Sequence, residues 1–163
     1  MPHRLRALLV LPVIPLLLLS ALPSATAADA PSWRWPVVGP RSVLRPFQAP
    51  PTPYAAGHRG LDIAAPDERL LAPASGTVRF AGVVVDRPVL SIDHGGGVVS
   101  SFEPVVALVS RGDAVERGET IGTIIPGHCS ETCVHVGVRV DGQYVSPMAF
   151  FGGIPRAILL PTR

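Results

Sequence analysis

The chain of 163 residues contains no lysine, and this absence limits the functions that its composition allows. Nucleic-acid-binding proteins usually gather Lys and Arg on one face. Here 14 arginines stand against 12 Asp and Glu. Arg4 and Arg6 lie in the first few residues, so the rest of the chain is formally neutral. The composition therefore predicts no nucleic-acid partner.

Cysteine is scarce as well, with only Cys129 and Cys133 in the sequence. Two cysteines are too few for a disulfide scaffold, so a hydrophobic core has to hold the fold together. Hydrophobic residues make up 47% of the chain, which is enough to supply the core of one domain.

The first 27 residues have the pattern of a secretory signal peptide. A short basic start precedes an apolar run over residues 7–22, and small residues then lead to Ala27. The alternative is a membrane anchor, but the run is shorter than the roughly 20 residues that a span requires, and Pro12 and Pro15 interrupt it. No later segment is long and apolar enough to span. We therefore expect cleavage after Ala27 and a secreted protein.

Proline and glycine divide the remainder of the chain. Residues 28–53 are rich in Pro, which excludes a helix there, although residues 33–38 can be interpreted as an edge strand. Residues 54–152 are predicted to form the folded domain, and residues 153–163 are predicted to be a C-terminal tail.

Short β-branched runs alternate with Gly and Asp turns from Gly57 onward, and this pattern predicts a mainly β, antiparallel fold. Residues 93–97 and Asp141-Gly142 have the composition of hairpin turns. Only residues 147–151 resemble a short helical turn. Closely spaced strands with Gly turns favour a sandwich or a partly open barrel. The predicted strands are residues 76–85, 89–93, 98–102, 134–140 and 144–145.

Three side chains are candidates for binding one metal ion. His58 and Asp62 are four residues apart in a loop that leads into a strand. Imidazole nitrogen and carboxylate oxygen are both good zinc ligands, although this spacing also occurs in ordinary solvated turns. His135 lies among alternating valines, so it is expected on the face opposite the core, beside Cys133. Alone, His135 would be interpreted as a hydrogen-bonded surface histidine.

Five pieces of the chain, in this order, resemble the lysostaphin/LytM-type zinc metalloendopeptidases: HRGLDIAAP, LLAPASGTVRFAG, LSIDHGGGVVSSF, SRGDAVERGETIGTI and VHVGVRVDGQYVSP. The resemblance implies a β-rich fold of the duplicated hybrid motif type, with a groove over an antiparallel sheet. It also implies a single zinc ion and, as substrate, the stem or cross-bridge peptides of peptidoglycan. By position, His58, Asp62 and His135 match the family's three zinc ligands, which would leave a fourth position for water.

The chain departs from the family pattern at two catalytic histidines. Cys133 stands where the family has the first histidine of a His-x-His pair, and Glu103-Pro104 stands where a Tyr-x-His histidine is expected. Losing a general base typically costs about 10²–10⁴-fold in rate, and losing an oxyanion donor about 10²–10³-fold. Glu103 and His128 are the candidate catalytic substitutes. Glu103 lies near the missing Tyr-x-His histidine, and His128 precedes the Cys129 loop, from which it can swing toward the zinc.

Two roles are open for Cys133. It can form a disulfide with Cys129 across a short loop, which the oxidising environment of an exported protein favours. Alternatively, it can be a fourth zinc ligand beside His135, which would close the site and make the metal structural.

Two functions agree with these expectations. The first is an active zinc endopeptidase that acts on peptidoglycan. The second is a catalytically degenerate domain that binds peptidoglycan or regulates another cell-wall hydrolase. A lipoyl or biotinyl carrier module, suggested by the stretch GDAVERGETIG, is disfavoured because the chain has no lysine for the attachment.

Overall fold

The structure is a computed structural model that describes residues 33–52 and 54–152. The predicted signal peptide (residues 1–27) and the predicted tail (residues 153–163) lie outside the described residues. Within the described ranges, no helix is long and apolar enough to cross a membrane. The elements are β1 (Val43–Arg45), β2 (Gly60–Ala64), β3 (Arg69–Leu71), β4 (Gly76–Val84), β5 (Arg87–Asp93), β6 (Val98–Glu103), β7 (Val105–Ala107), β8 (Ala114–Val115), β9 (Thr120–Ile124), β10 (Cys133–Val140), β11 (Gln143–Val145) and a 3-10 helix (Pro147–Ala149).

These strands form two antiparallel sheets. The larger sheet has the order β1-β2-β10-β6-β5-β4-β8, with β11 paired to β10, and the smaller has the order β3-β9-β7. The large sheet runs from β1 to β8 without closing on itself. The predicted mainly β, antiparallel fold is therefore confirmed, with a sheet arrangement that is not a closed barrel.

The alternation of side chains on β2 and β10 separates the core from the outer face of the large sheet. Asp62 and His135 point outward, whereas every second residue of both strands is buried in the core. A one-residue slip would expose those core side chains, at a free-energy cost of about 1.5–3 kcal/mol each, so the register is strongly specified. The core side chains of the two strands are Leu61, Ile63, Val134, Val136 and Val138.

The predicted hairpins are present in the structure. β5 and β6 pair directly and are joined through the glycine-rich turn that follows Asp93. β10 and β11 are joined through Asp141 and Gly142, whose φ angles of 49° and 82° are both left-handed. Two successive left-handed residues are what a two-residue type I′ turn requires, and Asp-Gly provides them at low cost.

The interpretation of residues 33–38 as an edge strand is wrong. The strand at that edge of the large sheet is β1, several residues later, which pairs with β2. Instead of joining a ladder, the Trp33 ring packs at a tilt against Phe150, with the ring centres 4.5 Å apart, and Trp35 stacks on Phe151 at 4.9 Å. Aromatic packing against the 3-10 helix region therefore determines the path of this segment, and Trp33 is part of the core.

His94 links the β5–β6 turn to the start of β4. Its Nδ1–H donates to the Ser75 carbonyl oxygen at 2.9 Å, and its Nε2 accepts from the Ser100 hydroxyl at 2.8 Å. The ring also lies 4.5 Å from that of Trp33. Burial lowers the pKa of His94 below its usual value of 6.5, although the Ser75 carbonyl and Asp93 partly oppose this effect. His94 is therefore neutral in the folded protein at neutral pH.

We predict that replacing this histidine changes how stability depends on pH. Because the pKa of His94 is lower in the folded than in the unfolded protein, the unfolded chain binds the extra proton first as the pH falls below 6.5. At pH 8, His94→Gln should lower the free energy of unfolding by about 1–3 kcal/mol, since buried hydrogen bonds are lost. The difference between wild type and variant should shrink from pH 8 to pH 5 in denaturant titrations. A difference that stays constant over this range would contradict the assignment.

Candidate metal centre

A cross-strand pair forms the base of a polar cluster on the outer face of the large sheet. In the register of β2 and β10, Asp62 lies directly opposite His135. Directly opposed residues of an antiparallel pair have their side chains on the same face and within contact distance. The Nδ1 atom of His135 lies 2.7 Å from Oδ1 of Asp62. Residues that are 73 positions apart in the sequence thus meet because the core fixes the register.

His58 approaches the same carboxylate from the loop before β2. An isolated bridge between Gln48 and His58 holds its backbone. The Nδ1–H of His58 donates to the Pro46 carbonyl oxygen at 2.8 Å, so a neutral ring has its lone pair on Nε2. That Nε2 lies 3.1 Å from Oδ1 of Asp62 and 3.2 Å from Nδ1 of His135. A backbone carbonyl that fixes the tautomer is the usual second partner of a metal-binding histidine.

His128 completes the group from the loop before β10. Its Nε2 lies 3.0 Å from the same Oδ1 of Asp62. The ligand atoms of His58, Asp62, His128 and His135 all lie within 4.8 Å of one another. The structure therefore brings together the three side chains expected to bind zinc and one of the two candidate catalytic substitutes.

The charge states of Asp62 and His135 suit a divalent cation. Burial opposes ionisation of Asp62, but the hydrogen bond with His135 and the positive potential of the three histidines lower its carboxyl pKa below the usual value. Burial lowers the pKa of His135, and the hydrogen bond to Asp62 only partly offsets this effect. A carboxylate and neutral imidazoles are the forms in which these side chains bind metals.

The distances within the cluster also suit a metal ion. Nε2 of a neutral His58 and Oδ1 of Asp62 are two hydrogen-bond acceptors only 3.1 Å apart, which requires a cation between them. Either a proton or a divalent metal ion can provide this positive charge. Ligands at about 2.0–2.2 Å from a tetrahedral zinc are about 3.3–3.6 Å from one another. The His58, Asp62 and His135 atoms are 2.7–3.2 Å apart, so they need to separate by less than about 1 Å to hold a zinc ion in this geometry.

Gly60 makes room for the His135 ring. A Cβ at Gly60 would lie 2.5 Å from Nε2 of His135 and 2.4 Å from the Val136 carbonyl oxygen. Any side chain there would push the imidazole or the β10 backbone away, because real Cβ atoms do not approach so closely. The glycine in the sequence HRGLD thus has a structural reason that the ligand spacing alone does not indicate.

Glu103, the other candidate catalytic substitute, stays outside the group of four. It lies on β6 opposite His135, and its Oε1 is 3.6 Å from Nη1 of Arg87. Its half-buried carboxylate therefore borders the metal cluster but is paired with a guanidinium.

Cys129 and Cys133 form a disulfide bond in the structure, with their Cα atoms 6.0 Å apart. The bond ties the loop that contains His128 to the first residue of β10. A cysteine in a disulfide has no thiolate to offer a metal, so the structure does not bring a Cys133 ligand into the cluster.

The contribution of the Pro-rich segment was missed by the sequence analysis. Pro46 and Gln48 lie in the region that was predicted to precede the folded domain, yet they orient His58. No local signal reveals a main-chain carbonyl that accepts from a side chain twelve residues away. The one relevant signal in the sequence is that the Pro-rich segment shows no hydrophobic periodicity, which is compatible with a segment held by such irregular contacts.

Comparison with known proteins agrees with this arrangement of strands and side chains. The model of peptidase family M23 matches residues 56–147, which include all four side chains of the cluster. The chain therefore belongs to peptidase family M23, and the resemblance to the lysostaphin/LytM-type enzymes is confirmed.

Three relatives illustrate the range of the family. An uncharacterized protein of Mycobacterium tuberculosis is 38% identical over 146 residues, covering 85% of this chain and 58% of its own length. The murein hydrolase activator NlpD of Escherichia coli is 29% identical over 129 residues, covering 77% of this chain and 32% of its own. The catalytic domain of the antimicrobial peptidase lysostaphin from Staphylococcus simulans has the same fold, with a TM-score of 0.58 at 18% identity, covering 69% of this chain and 92% of its own. The chain thus spans little more than half the length of the mycobacterial relative.

We predict that purified protein binds about one zinc ion per chain through His58, Asp62 and His135. His135→Ala should lose the metal, because two remaining protein ligands hold zinc poorly. His94→Gln is the matched control, since this histidine is outside the cluster, and it should retain the metal. Metal analysis after dialysis decides the matter. Equal zinc content in wild type and His135→Ala would contradict the assignment.

The disulfide should act locally on the His128 loop. It closes a loop of only a few residues, so a Cys129→Ser/Cys133→Ser double variant should lose only about 2 kcal/mol of stability. Amide hydrogen exchange over residues 126–132 should become faster in the variant, whereas exchange in β2 should not change. Unchanged exchange in the loop would show that His128 is held without the disulfide.

Proposed function

We propose that this protein is an exported zinc metallopeptidase that hydrolyses peptide bonds in the stem or cross-bridge peptides of bacterial peptidoglycan. The single observation that carries the proposal is the convergence of His58, Asp62, His128 and His135 on one point of the outer sheet face. Membership of a peptidase family supports the reaction class. The disulfide is compatible with an oxidising, extracytoplasmic location.

His58, Asp62 and His135 would hold the zinc ion. When bound, zinc polarises a substrate carbonyl and makes a coordinated water more acidic. Asp62 neutralises part of the metal charge, and the Pro46 carbonyl keeps the Nε2 lone pair of His58 directed at the centre. Three ligands from the protein are the number found in catalytic zinc sites, where one position stays open.

His128 is the residue that would move the proton. The His128 imidazole would accept a proton from the water that adds to the peptide carbonyl carbon, and would then give it to the leaving amine nitrogen as the C–N bond breaks. The side chain is mostly buried yet retains about 17% exposure, so it borders both the cluster and the solvent that supplies the water. His128 would thereby replace the family histidine whose position holds Cys133, although it comes from a different part of the chain.

Glu103 is less suited to this role. Its carboxylate pairs with Arg87, and it is not among the groups that surround Asp62. It lines a cavity of about 230 Å³ together with His135 and Tyr144, next to the cluster. We therefore propose that Glu103 faces the bound peptide rather than the attacking water.

A second candidate function is supported by the similarity to NlpD, which is a murein hydrolase activator. In this case the same outer face would bind peptidoglycan or another hydrolase without cleaving a bond itself. The two functions differ in what a His128 substitution does, because activation by binding needs no proton transfer.

We predict that His128→Ala lowers the rate of peptidoglycan hydrolysis about 10²–10⁴-fold, the usual loss for a general base. Zinc content should stay near wild type, because His128 is not one of the three ligands. Glu103→Gln, the matched control at the edge of the site, should reduce the rate far less. The rate of hydrolysis by each of the three proteins is measured as the release of soluble fragments from purified cell walls, followed by chromatography.

Three outcomes would contradict parts of this proposal. Loss of zinc in His128→Ala would make His128 a fourth ligand and the site a closed, structural one. A larger loss in Glu103→Gln than in His128→Ala would make Glu103 the base. Absence of hydrolysis by zinc-loaded wild type, combined with stimulation of a separate cell-wall hydrolase, would favour the second candidate function.

A further inference from the structure

The cavity beside the metal cluster is lined by arginine side chains. It has a volume of about 230 Å³, and its lining includes Arg59 and Arg139 as well as His135 and Glu103. Glu103 is the single acidic residue among the described lining residues, and Arg87 already pairs with it. The cavity therefore carries a net positive charge next to the proposed zinc site.

Arg139 lies on the same face of β10 as His135, because the two residues are separated by four positions in a strand. Their Cα atoms are about 13 Å apart along the strand, because each of the four residue steps advances about 3.3 Å. The Arg139 guanidinium lies over the ring of Tyr144, 5.4 Å from its centre. This stacking holds the guanidinium plane while leaving its N–H groups available to a ligand.

Gly137 lies between His135 and Arg139 on the same face of β10. A Cβ at this position would lie 2.8 Å from the Ser101 hydroxyl and 3.6 Å from Cε1 of Tyr144. A side chain at this position would therefore collide with Ser101, which lines the cavity. The lining of the cavity thus includes both His135, beside the metal cluster, and Arg139.

Arg139 also borders a second cavity, which contains Asp93 and Asp141. Neither carboxylate comes within 4.0 Å of its guanidinium in the described part of the chain, and Arg79 lies 3.9 Å from Asp93. Arg59, in contrast, already donates to the Ala55 carbonyl oxygen at 3.2 Å. Arg139 is therefore the main candidate for recognising an anionic group.

We propose that Arg139 forms a carboxylate-binding subsite that makes this protein select acidic peptides, those with free carboxylates near the scissile bond, over neutral ones. Guanidinium and carboxylate pair through two parallel hydrogen bonds, which gives direction as well as attraction. Acidic stem peptides of peptidoglycan fit this chemistry, whereas bridges of neutral residues do not. The inference rests on the proposed function for the location of the substrate, but it can be tested by binding alone.

The probes are the stem peptide L-Ala-γ-D-Glu-L-Lys-D-Ala and the same peptide with both carboxylates converted to amides. Calorimetry on zinc-loaded wild type should show about 10- to 100-fold tighter binding of the carboxylate form, because a charge-assisted hydrogen bond is lost with the amide. Arg139→Gln should bind both forms as weakly as wild type binds the diamide. Arg139→Lys should recover part of the preference, and Arg111→Gln, at an exposed arginine away from this cavity, should keep all of it.

Equal binding of the two peptides by wild type, or no binding of either, overturns the subsite. A preference that survives in Arg139→Gln overturns the role of Arg139, and the unchanged affinity of that variant for the diamide shows that it is folded. Chromatography of the same mixtures reports cleavage separately. A carboxylate preference without cleavage would leave the subsite standing while the proposed peptidase activity fails, and cleavage without a preference would do the reverse.

Discussion

The antiparallel pairing of β2 with β10 is the interaction on which the metal centre depends. This pairing places Asp62 opposite His135 on the outer face and, through the next residues of the same strands, Ile63 opposite Val134 in the core. The apolar face determines the register, because slipping it by one residue would expose the core. The free energy that holds the metal ligands together is therefore mainly that of hydrophobic burial on the opposite side of the sheet.

Two irregular segments then complete the cluster at the end of this strand pair. The Pro-rich segment holds His58 through the Pro46 carbonyl and the Gln48 bridge. The loop before β10 holds His128 and is joined to the strand by the disulfide. Among the described residues, neither the stretch from Pro46 to Gln48 nor the loop before β10 lies in a named strand, so each needs a specific bond to keep one histidine in place. Loops held on a rigid sheet in this way are a common origin of functional residues.

Much of the fold and part of the site could be predicted from period-2 patterns and spacing. The valines around His135 predicted its face, and Asp141-Gly142 predicted a hairpin. The Trp33 segment is not the edge strand that its alternation predicts, because its aromatic residues pack against Phe150 instead of pairing with a neighbouring strand. Alternating apolar residues are compatible with both arrangements, so the pattern alone does not distinguish them. The position of His128 beside Asp62 depends on the path of a loop, and secondary-structure propensities do not specify that path. The positive cavity at Arg139 depends on side chains from several strands, and only the three-dimensional register reveals it.

In the proposed centre, a histidine from another loop replaces a missing family histidine. The most important property to test is the identity of the metal ligands. X-ray absorption at the zinc edge of the loaded protein tests this claim most directly. We expect nitrogen and oxygen scatterers only, at about 2.0–2.2 Å, with two imidazoles, one carboxylate and one water oxygen. A sulfur scatterer at about 2.3 Å would contradict the account by making Cys133 a ligand, and a third imidazole would do so by making His128 one.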